Sequence, residues 1–425
     1  MTVIYRQLII QDITLFTSTP KAEFYTNLFD NLDLSNFPDS TAKTGRKGFS
    51  KSALLCAFIV MKCECFSYIT DLIDYLQNNL LIAHLCGFNI MKPLPSYWTF
   101  DRFIRNLDNT LLQKIINDQV LKLVNENIID SSFIALDSTP IAANTSANNS
   151  KSFVKNKFSK DNQPKADKDC KLGVHTASNQ INERKFNYYW GYKNHILVDC
   201  ITGLPIFELT TTADVADSKV ALHILSQTNK FLSIEECTFI ADKGYDVKDI
   251  YDTVKTTYHG DCVIPLNKRN SKNQKKLPSG HPICDAGFAM HKDGKFSSEN
   301  RTRQKYCCPF KRSKHGECPC NHKNRNNNKK NRGCTKYVTL PDDYRLSIDC
   351  DSISFKRIYS LRTEAERYNS RFKATGQERM WVTCFKAVQN LNTISHIALL
   401  AVAYAAIITK SKNSYRSLKY NIRSA

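Results

Sequence analysis

Two short apolar runs, each leading into a carboxylate, constrain the fold of this 425-residue chain more than any other feature. Phe133-Ile-Ala-Leu runs into Asp137-Ser-Thr-Pro, and Cys237-Thr-Phe-Ile-Ala runs into Asp242, with Gly244 behind it. Apolar runs of this length predict buried strands, each with an acid at or near its end. Between them, Phe186-Asn-Tyr-Tyr-Trp-Gly-Tyr and His195-Ile-Leu-Val-Asp-Cys bracket strand-like sequence. Thr202-Gly203 makes a turn, and Leu204 to Thr211 returns as a further strand. Helices are expected over Asp217 to Phe231 and Val247 to Thr256, with Cys262-Val-Ile-Pro as a last short strand. Residues 144–185, rich in Asn, Lys and Ser, read as a mobile loop. Strands alternating with helices specify an α/β core.

The first 128 residues differ in texture and read as all-α. Ser50 can cap a helix to about Cys65, with Leu54, Leu55, Phe58 and Ile59 at helical spacing. A second helix is expected from Ser67, a third around Trp98-Thr-Phe-Asp-Arg-Phe-Ile, and a fourth from Leu111 to Val124. A helix resumes near Ser354, and an apolar helix near Ile394 to Ile408 closes the fold.

Sixty Lys and Arg against forty Asp and Glu leave a net charge of +20. That excess favours a polyanionic partner, nucleic acid or an anionic membrane. The longest apolar run, Ile397 to Ile408, is twelve residues. It is too short to span a bilayer and reads as a buried helix, so no membrane is expected and nucleic acid is the expected partner. The N-terminus, Met-Thr-Val-Ile-Tyr-Arg, lacks the build of a signal peptide. The sixteen cysteines are therefore expected as reduced thiols or metal ligands rather than disulfides.

Charge and cysteine coincide in one stretch. Residues 268–336 hold nineteen Lys/Arg and four Asp/Glu, which a solvated insert would explain. Within it Cys284, Cys308, Cys318, Cys320 and Cys334, near Cys307 and four histidines, offer tetrahedral ligands for zinc. The spacing is not a clean pair of Cys-x2-Cys knuckles, and reduced thiols in a small β-rich insert are the alternative.

The third acid sits on the helix near residue 360. Tyr359, Arg362, Glu366 and Lys373 lie at offsets of three, seven and fourteen residues, which at ~100° per residue places them in one stripe roughly 60° wide. Leu361, Ala365, Tyr368 and Phe372 form a second stripe about 120° away. One face can pack on a sheet while the other presents a carboxylate flanked by two cations and a phenol. A solvated face with Arg362–Glu366 as an i,i+4 ion pair is the plainer alternative. Among the remaining acids, Asp217 and Asp246 read as helix caps, and Asp199 lies on an alternating strand. His195 is a secondary candidate, a lone strand histidine being more often structural.

The spacing Tyr-x2-Arg-x3-Glu-x6-Lys, here Tyr359, Arg362, Glu366 and Lys373, resembles the signature around the last acid of bacterial insertion-sequence transposases of the DDE type. Leu136-Asp137-Ser-Thr and Ile240-Ala-Asp242-Lys-Gly-Tyr resemble the segments carrying that family's first two aspartates. Gly191-Tyr-Lys-Asn-His195 and Ala213-Asp-Val-Ala-Asp217-Ser lie between them as in the family. Gly48-Phe-Ser-Lys-Ser-Ala-Leu-Leu and Pro95-Ser-Tyr-Trp-Thr-Phe-Asp-Arg-Phe resemble its helical leader. The resemblance runs from about residue 45 to 408.

It implies a ribonuclease-H-like core, a mixed sheet flanked by helices, in which three carboxylates converge. The implied layout is an all-α N-terminal domain for DNA binding or assembly (1–128), the first part of the core (129–267), a basic Cys-rich insertion (268–350), the core's C-terminal helices (351–410) and a basic tail (411–425). Asp137, Asp242 and Glu366 would then be catalytic ligands of Mg2+ or Mn2+, hard cations suited to oxygen donors, in an in-line phosphoryl displacement. Water as nucleophile cleaves a strand and a DNA 3′-hydroxyl joins one. Arg362 and Lys373 would contact phosphate, and Tyr359 would hydrogen-bond or stack beside them. The implied partner is double-stranded DNA, as terminal inverted repeats and target, bound by a homodimer at the nucleoid of a bacterial cytoplasm. Two rivals share the fold: an inactive DNA-binding descendant, which would have lost a carboxylate, and a nuclease that cuts without joining.

Overall fold

The computed structural model describes residues 17–35, 37, 48–178, 184–267, 281–298, 301–311, 334–339, 344–350, 352–409 and 415–418. Among the described residues six helices come first: α1 (Pro20–Asp30), α2 (Lys51–Cys63), α3 (Ile69–Asn78), α4 (Leu80–Leu85), α5 (Tyr97–Asn106) and α6 (Asn109–Asn125). Ser50 caps α2 as its position predicts, its hydroxyl accepting the Ala53 amide at 3.3 Å. From Ala53 onward every residue of α2 is buried, so the helix is enclosed on all sides. Lys62 is enclosed with it, and burial pulls its ammonium down to about 7. α1, started by the Thr19 cap and Pro20, and the short α4 were not anticipated from the sequence.

The main sheet is built on β1 (Phe133–Ala142). It pairs antiparallel with β3 (Arg184–Asp199) and parallel with β5 (Thr238–Ala241), which pairs parallel with β6 (Asp261–Val263). The other edge of β3 takes β2 (Lys171–Ser178) along its first half and β4 (Pro205–Thr212) along its second. This is a mixed sheet flanked by helices.

Two expectations change here. β1 does not end at Asp137 but continues five residues beyond it, through Pro140. The reason lies in which edge each amide faces. Thr238 donates to Ser132 on the β5 side, and on that same side Ala142 exchanges bonds with Glu378 and Met380. Even-numbered β1 groups thus face β5, and Pro140 falls beyond the last β5 pairing, at Leu136–Ala241. Its missing N–H costs no ladder bond there. The segment expected to be a mobile loop is also more structured, since it contains β2 and a pinned connection. Asn148 donates to the carbonyls of Ala143 and Trp190 and accepts the Trp190 amide, while the Trp190 indole donates to Lys157 O at 2.7 Å. Gly191 serves close approach, because a Cβ there would stand 2.0 Å from Ile141 O.

Helices α7 (Asp217–Asn229) and α8 (Lys248–Thr256) follow the predicted pattern. The C-terminal part holds α9 (Tyr344–Ser347), α10 (Ile353–Tyr359), α11 (Thr363–Phe372) and α12 (Phe385–Ile408). α12 starts nine residues before the expected helix and is buried along most of its length, although by length and apolarity it could cross a membrane. One continuous core joins the N-terminal helices, the sheet and α12. Strands β7 (His291–Ser298), β8 (Arg301–Cys307) and β9 (Thr335–Thr339) form a separate antiparallel sheet with its own small cluster of Cys284, Met290, Tyr306, Cys308 and Cys334.

Candidate active site

Cross-strand partners share a sheet face, and Asp137 lies opposite Ile196. That face is covered by α11 and α12. Asn369 of α11 donates to Asp137 Oδ2 at 2.9 Å. Asp242 directly follows β5 and turns the chain, its Oδ1 accepting the Gly244 amide at 2.7 Å. Parallel pairing of β1 with β5, in which Leu136 matches Ala241, therefore sets the two aspartates side by side. Glu366 comes from α11 above them.

The three acids share one electrostatic field. The Asp137 carboxyl is pushed up to about 6, foremost by burial, with repulsion from Asp242 and Glu366 adding to it. Arg362 and the Ser138 amide act in the opposite direction. Arg362 Nη2 meets Glu366 Oε1 at 2.5 Å, and its guanidinium lies 5.7 Å from the centre of the Tyr359 ring. The Tyr359 hydroxyl is raised by burial, and Arg362, Asp242 and Glu366 all act on it. Four of the sequence-nominated groups thus gather around Asp137. Lys373 does not join them. It caps the end of α11, two turns beyond Glu366, its backbone amide donating to the Asn369 and Ser370 carbonyls, and its side chain makes no hydrogen bond or ion pair with the described residues.

The helix carrying the signature is not the single regular helix that its spacing assumed. A 3-10 turn, Ser360–Arg362, separates α10 from α11, and a π-type segment, Lys373–Gln377, follows it. The apolar stripe holds nonetheless: Ala365, Tyr368 and Phe372 are buried. The register also separates two neighbouring acids. Glu364 is buried and pairs with Arg367 and Arg416, near the β3–β4 turn. Glu366 remains half open, on the Asp137 side.

Other nominated groups resolve into structure. His195 is buried and pairs through Nε2 with Thr211 at 2.9 Å, and burial lowers its imidazole to about 4. Asp217 is not a cap: it is the first residue of α7 and takes Lys193 at 2.9 Å. Asp246 is no cap either, because it accepts the Asn267 amide at 2.7 Å and pairs with Arg345 at 3.4 Å. Asp199 is buried, and its side chain accepts the Ile201 and Thr202 amides that close the turn. Cys284, Cys308 and Cys334 share the small cluster under β7–β9, while Cys318 and Cys320 lie outside the described residues. Cys284, Cys307 and Cys308 are free thiols.

Two groups escaped the sequence reading. Asn369 follows Glu366 by three residues, a spacing that keeps both on one side of a helix, and that offset was the available signal. Behind α11 runs a buried polar chain. Tyr368 OH meets His396 Nδ1 at 2.5 Å, His396 Nε2 meets Asn194 Oδ1 at 3.0 Å, and Asn194 donates to Glu208 at 2.7 Å. Gln113 of α6 and Thr393 of α12 also donate to Glu208. No sequence signal marked this chain, because its members lie on five separate elements.

The site suits a divalent cation by donor chemistry: carboxylate oxygens from three elements, with Arg362 as present countercharge. Asn369 Oδ1 is buried beside them without a hydrogen-bond partner. Among the described residues no group of three or more His, Cys, Asp or Glu side chains is drawn tightly enough to enclose a metal. The acids form an open set rather than a closed shell.

The family model described as the transposase DDE domain matches residues 128–401. Among solved structures, a piggyBac transposase synaptic complex with hairpin DNA is similar at 10% identity and a TM-score of 0.41, over 95% of this chain and 78% of that one. A Mos1 transposase paired-end complex with the left transposon end matches at 12% identity and a TM-score of 0.17, over 53% of this chain and 61% of that one. No curated protein matches. The family match spans well over half of the chain and includes Asp137, Asp242 and Glu366: the chain belongs to the transposase DDE domain family.

Proposed function

We propose that this chain is the transposase of an insertion sequence, cutting double-stranded DNA at the element's terminal inverted repeats and joining the ends to target DNA. The observation that carries the reading is the meeting of Asp137, Asp242 and Glu366 from β1, β5 and α11 in one field, with Arg362 among them. The core is read as ribonuclease-H-like, and the acids as the ligands of Mg2+ or Mn2+. When bound, a pair of such ions supplies charge to the attacking and leaving oxygens of an in-line displacement.

The chain's own residues do the rest. Asn369 orients the Asp137 carboxylate, and Tyr359 fixes the Arg362 plane. Arg362, which pairs with Glu366, would hold a phosphate oxygen beside the scissile bond. Lys373 reaches the backbone farther along. The basic stretch 268–336 tracks phosphates, and its cysteines, Cys318 and Cys320 included, are proposed zinc ligands. A homodimer holding two ends, acting at the bacterial nucleoid, completes the reading.

Nicking and strand transfer on terminal-repeat DNA test it. Asp137→Ala, Asp242→Ala and Glu366→Ala should each lower both by about a thousandfold or more, and chelation should abolish them. Full activity in any variant removes that residue from the site. Cleavage without joining of pre-cut ends would make the chain a nuclease, and binding without either would make it an inactive descendant.

A further inference from the structure

The β2–β3 ribbon and the connection before it carry a surface that the acids do not use. Val174 and Tyr188 are direct cross-strand partners, and Phe186 lies two residues along the same face. All three are about half exposed, and Phe153 nearby on the connection is 98% exposed. Phe158 stacks on Tyr188 with centroids 6.5 Å apart, and Lys157 Nζ stands 5.4 Å over the Phe158 ring. The backbone beneath is pinned through the Trp190 indole and Asn148. These rings are held outward by ordered structure.

Around them Lys151, Lys155, Lys160, Lys165 and Lys168 are all exposed, and none of the five forms an ion pair with the described residues. Asp161 and Asp169 are the exposed acids among them, while Asp167 is buried under the Tyr192 hydroxyl. A second copy of this face would bring like charges together, which disfavours self-association. Exposed apolar surface ringed by cations suits a polyanion that also offers flat apolar rings. A duplex buries its base faces; a single strand presents them.

The register fixes the spacing. Tyr188 and Ile196 lie eight residues apart on β3, and Ile196 is opposite Asp137. At ~3.3 Å per residue that is roughly 26 Å, about eight nucleotides at ~3.4 Å per step. The separation is even, so the rings and Asp137 belong to one sheet face.

We propose that this surface binds a single-stranded segment of DNA, its bases stacking on Phe153, Phe186 and Tyr188 and its phosphates on the lysines. The choice of DNA rests on the function proposed above. The test uses the full chain, a labelled oligothymidylate and a labelled duplex of equal length at matched salt. Tyr188→Ala should weaken oligothymidylate binding about tenfold, and Phe186→Ala with Tyr188→Ala about a hundredfold, at the usual worth of base–aromatic stacking. Tyr188→Phe should retain affinity, and duplex binding should change little.

Phe153→Ala, at a side chain almost free of packing, gives the same reading where a ribbon variant fails to fold. Equal oligothymidylate affinity in wild type and the alanine variants overturns the proposal, as does an equal loss on duplex. A change in oligomeric state alone would make the face a self-association surface instead. Asp137→Asn should bind the oligonucleotide as wild type does. Failure of cleavage with intact ring-dependent binding therefore strikes the function, and the converse strikes this surface.

Discussion

Helices α11 and α12 carry opposite signatures and play opposite roles. α11, Thr-Glu-Ala-Glu-Arg-Tyr-Asn-Ser-Arg-Phe, is rich in charge, and its Asn369 and Glu366 lie toward Asp137. α12 is apolar by composition, yet Asn390, Asn392, Thr393, Ser395 and His396 are all buried in it. Those groups tie the N-terminal helices to the sheet: Asn390 donates to the Ile104 and Leu107 carbonyls at 2.8 and 3.0 Å, and Thr393 donates to Glu208. An isolated buried polar group is costly, but a satisfied network fixes one arrangement of the elements it joins. One charge on α11, Glu366, stays half open toward Asp137 while Glu364 is taken up by ion pairs, and polarity within α12 marks what holds the parts in register.

Substitutions can break this division. The largest effect is expected from exchanging the two acids of α11. Glu366→Ala should lose about a thousandfold or more of DNA nicking while leaving denaturant stability nearly unchanged, because Glu366 is half open. Glu364→Ala should do the reverse, as Glu364 is buried against Arg367 and Arg416. Equal effects in both assays would erase the distinction.

Next comes α12. Asn390→Ala leaves two backbone carbonyls without their donor and should cost about 2–3 kcal/mol in denaturant unfolding. A loss no larger than that of an exposed alanine substitution would mean the network does not hold the helices.

The smallest effect concerns pH. The Asp137 carboxyl stands near 6 in the folded chain against about 3.9 in an unfolded one. The folded state therefore binds the extra proton. The stability this supplies is full below about pH 4 and is lost as pH rises through 6. Asp137→Asn should gain up to about 1 kcal/mol at pH 7 without added metal, the partial exposure limiting it, and nothing at pH 4. A gain of equal size at both values would exclude a burial effect on ionisation.

Much of the framework was readable in advance. The runs before Asp137 and Asp242 are strands because apolar residues there have nowhere to go but a sheet interior, and the Ser50 cap and the Ala365, Tyr368 and Phe372 stripe follow from helical period alone. What misled was local. Asp137 was expected at or near the end of its strand, but β1 continues through Pro140, whose nitrogen faces an edge that β5 has already left. Asp217 and Asp246 sit where caps sit, yet Lys193 and the Asn267 amide claim them.

The sequence by itself determined most of the strands and helices around the site and nominated the acids, because periodicity and capping act over a few residues. Only the tertiary structure decided that Asp137 and Asp242 lie side by side, that Glu366 rather than Glu364 faces them, and that Asn369 and the Tyr368–His396–Asn194 chain stand behind them. Those relations join residues far apart in the chain, and they are set by strand register and helix rotation, which no local pattern encodes.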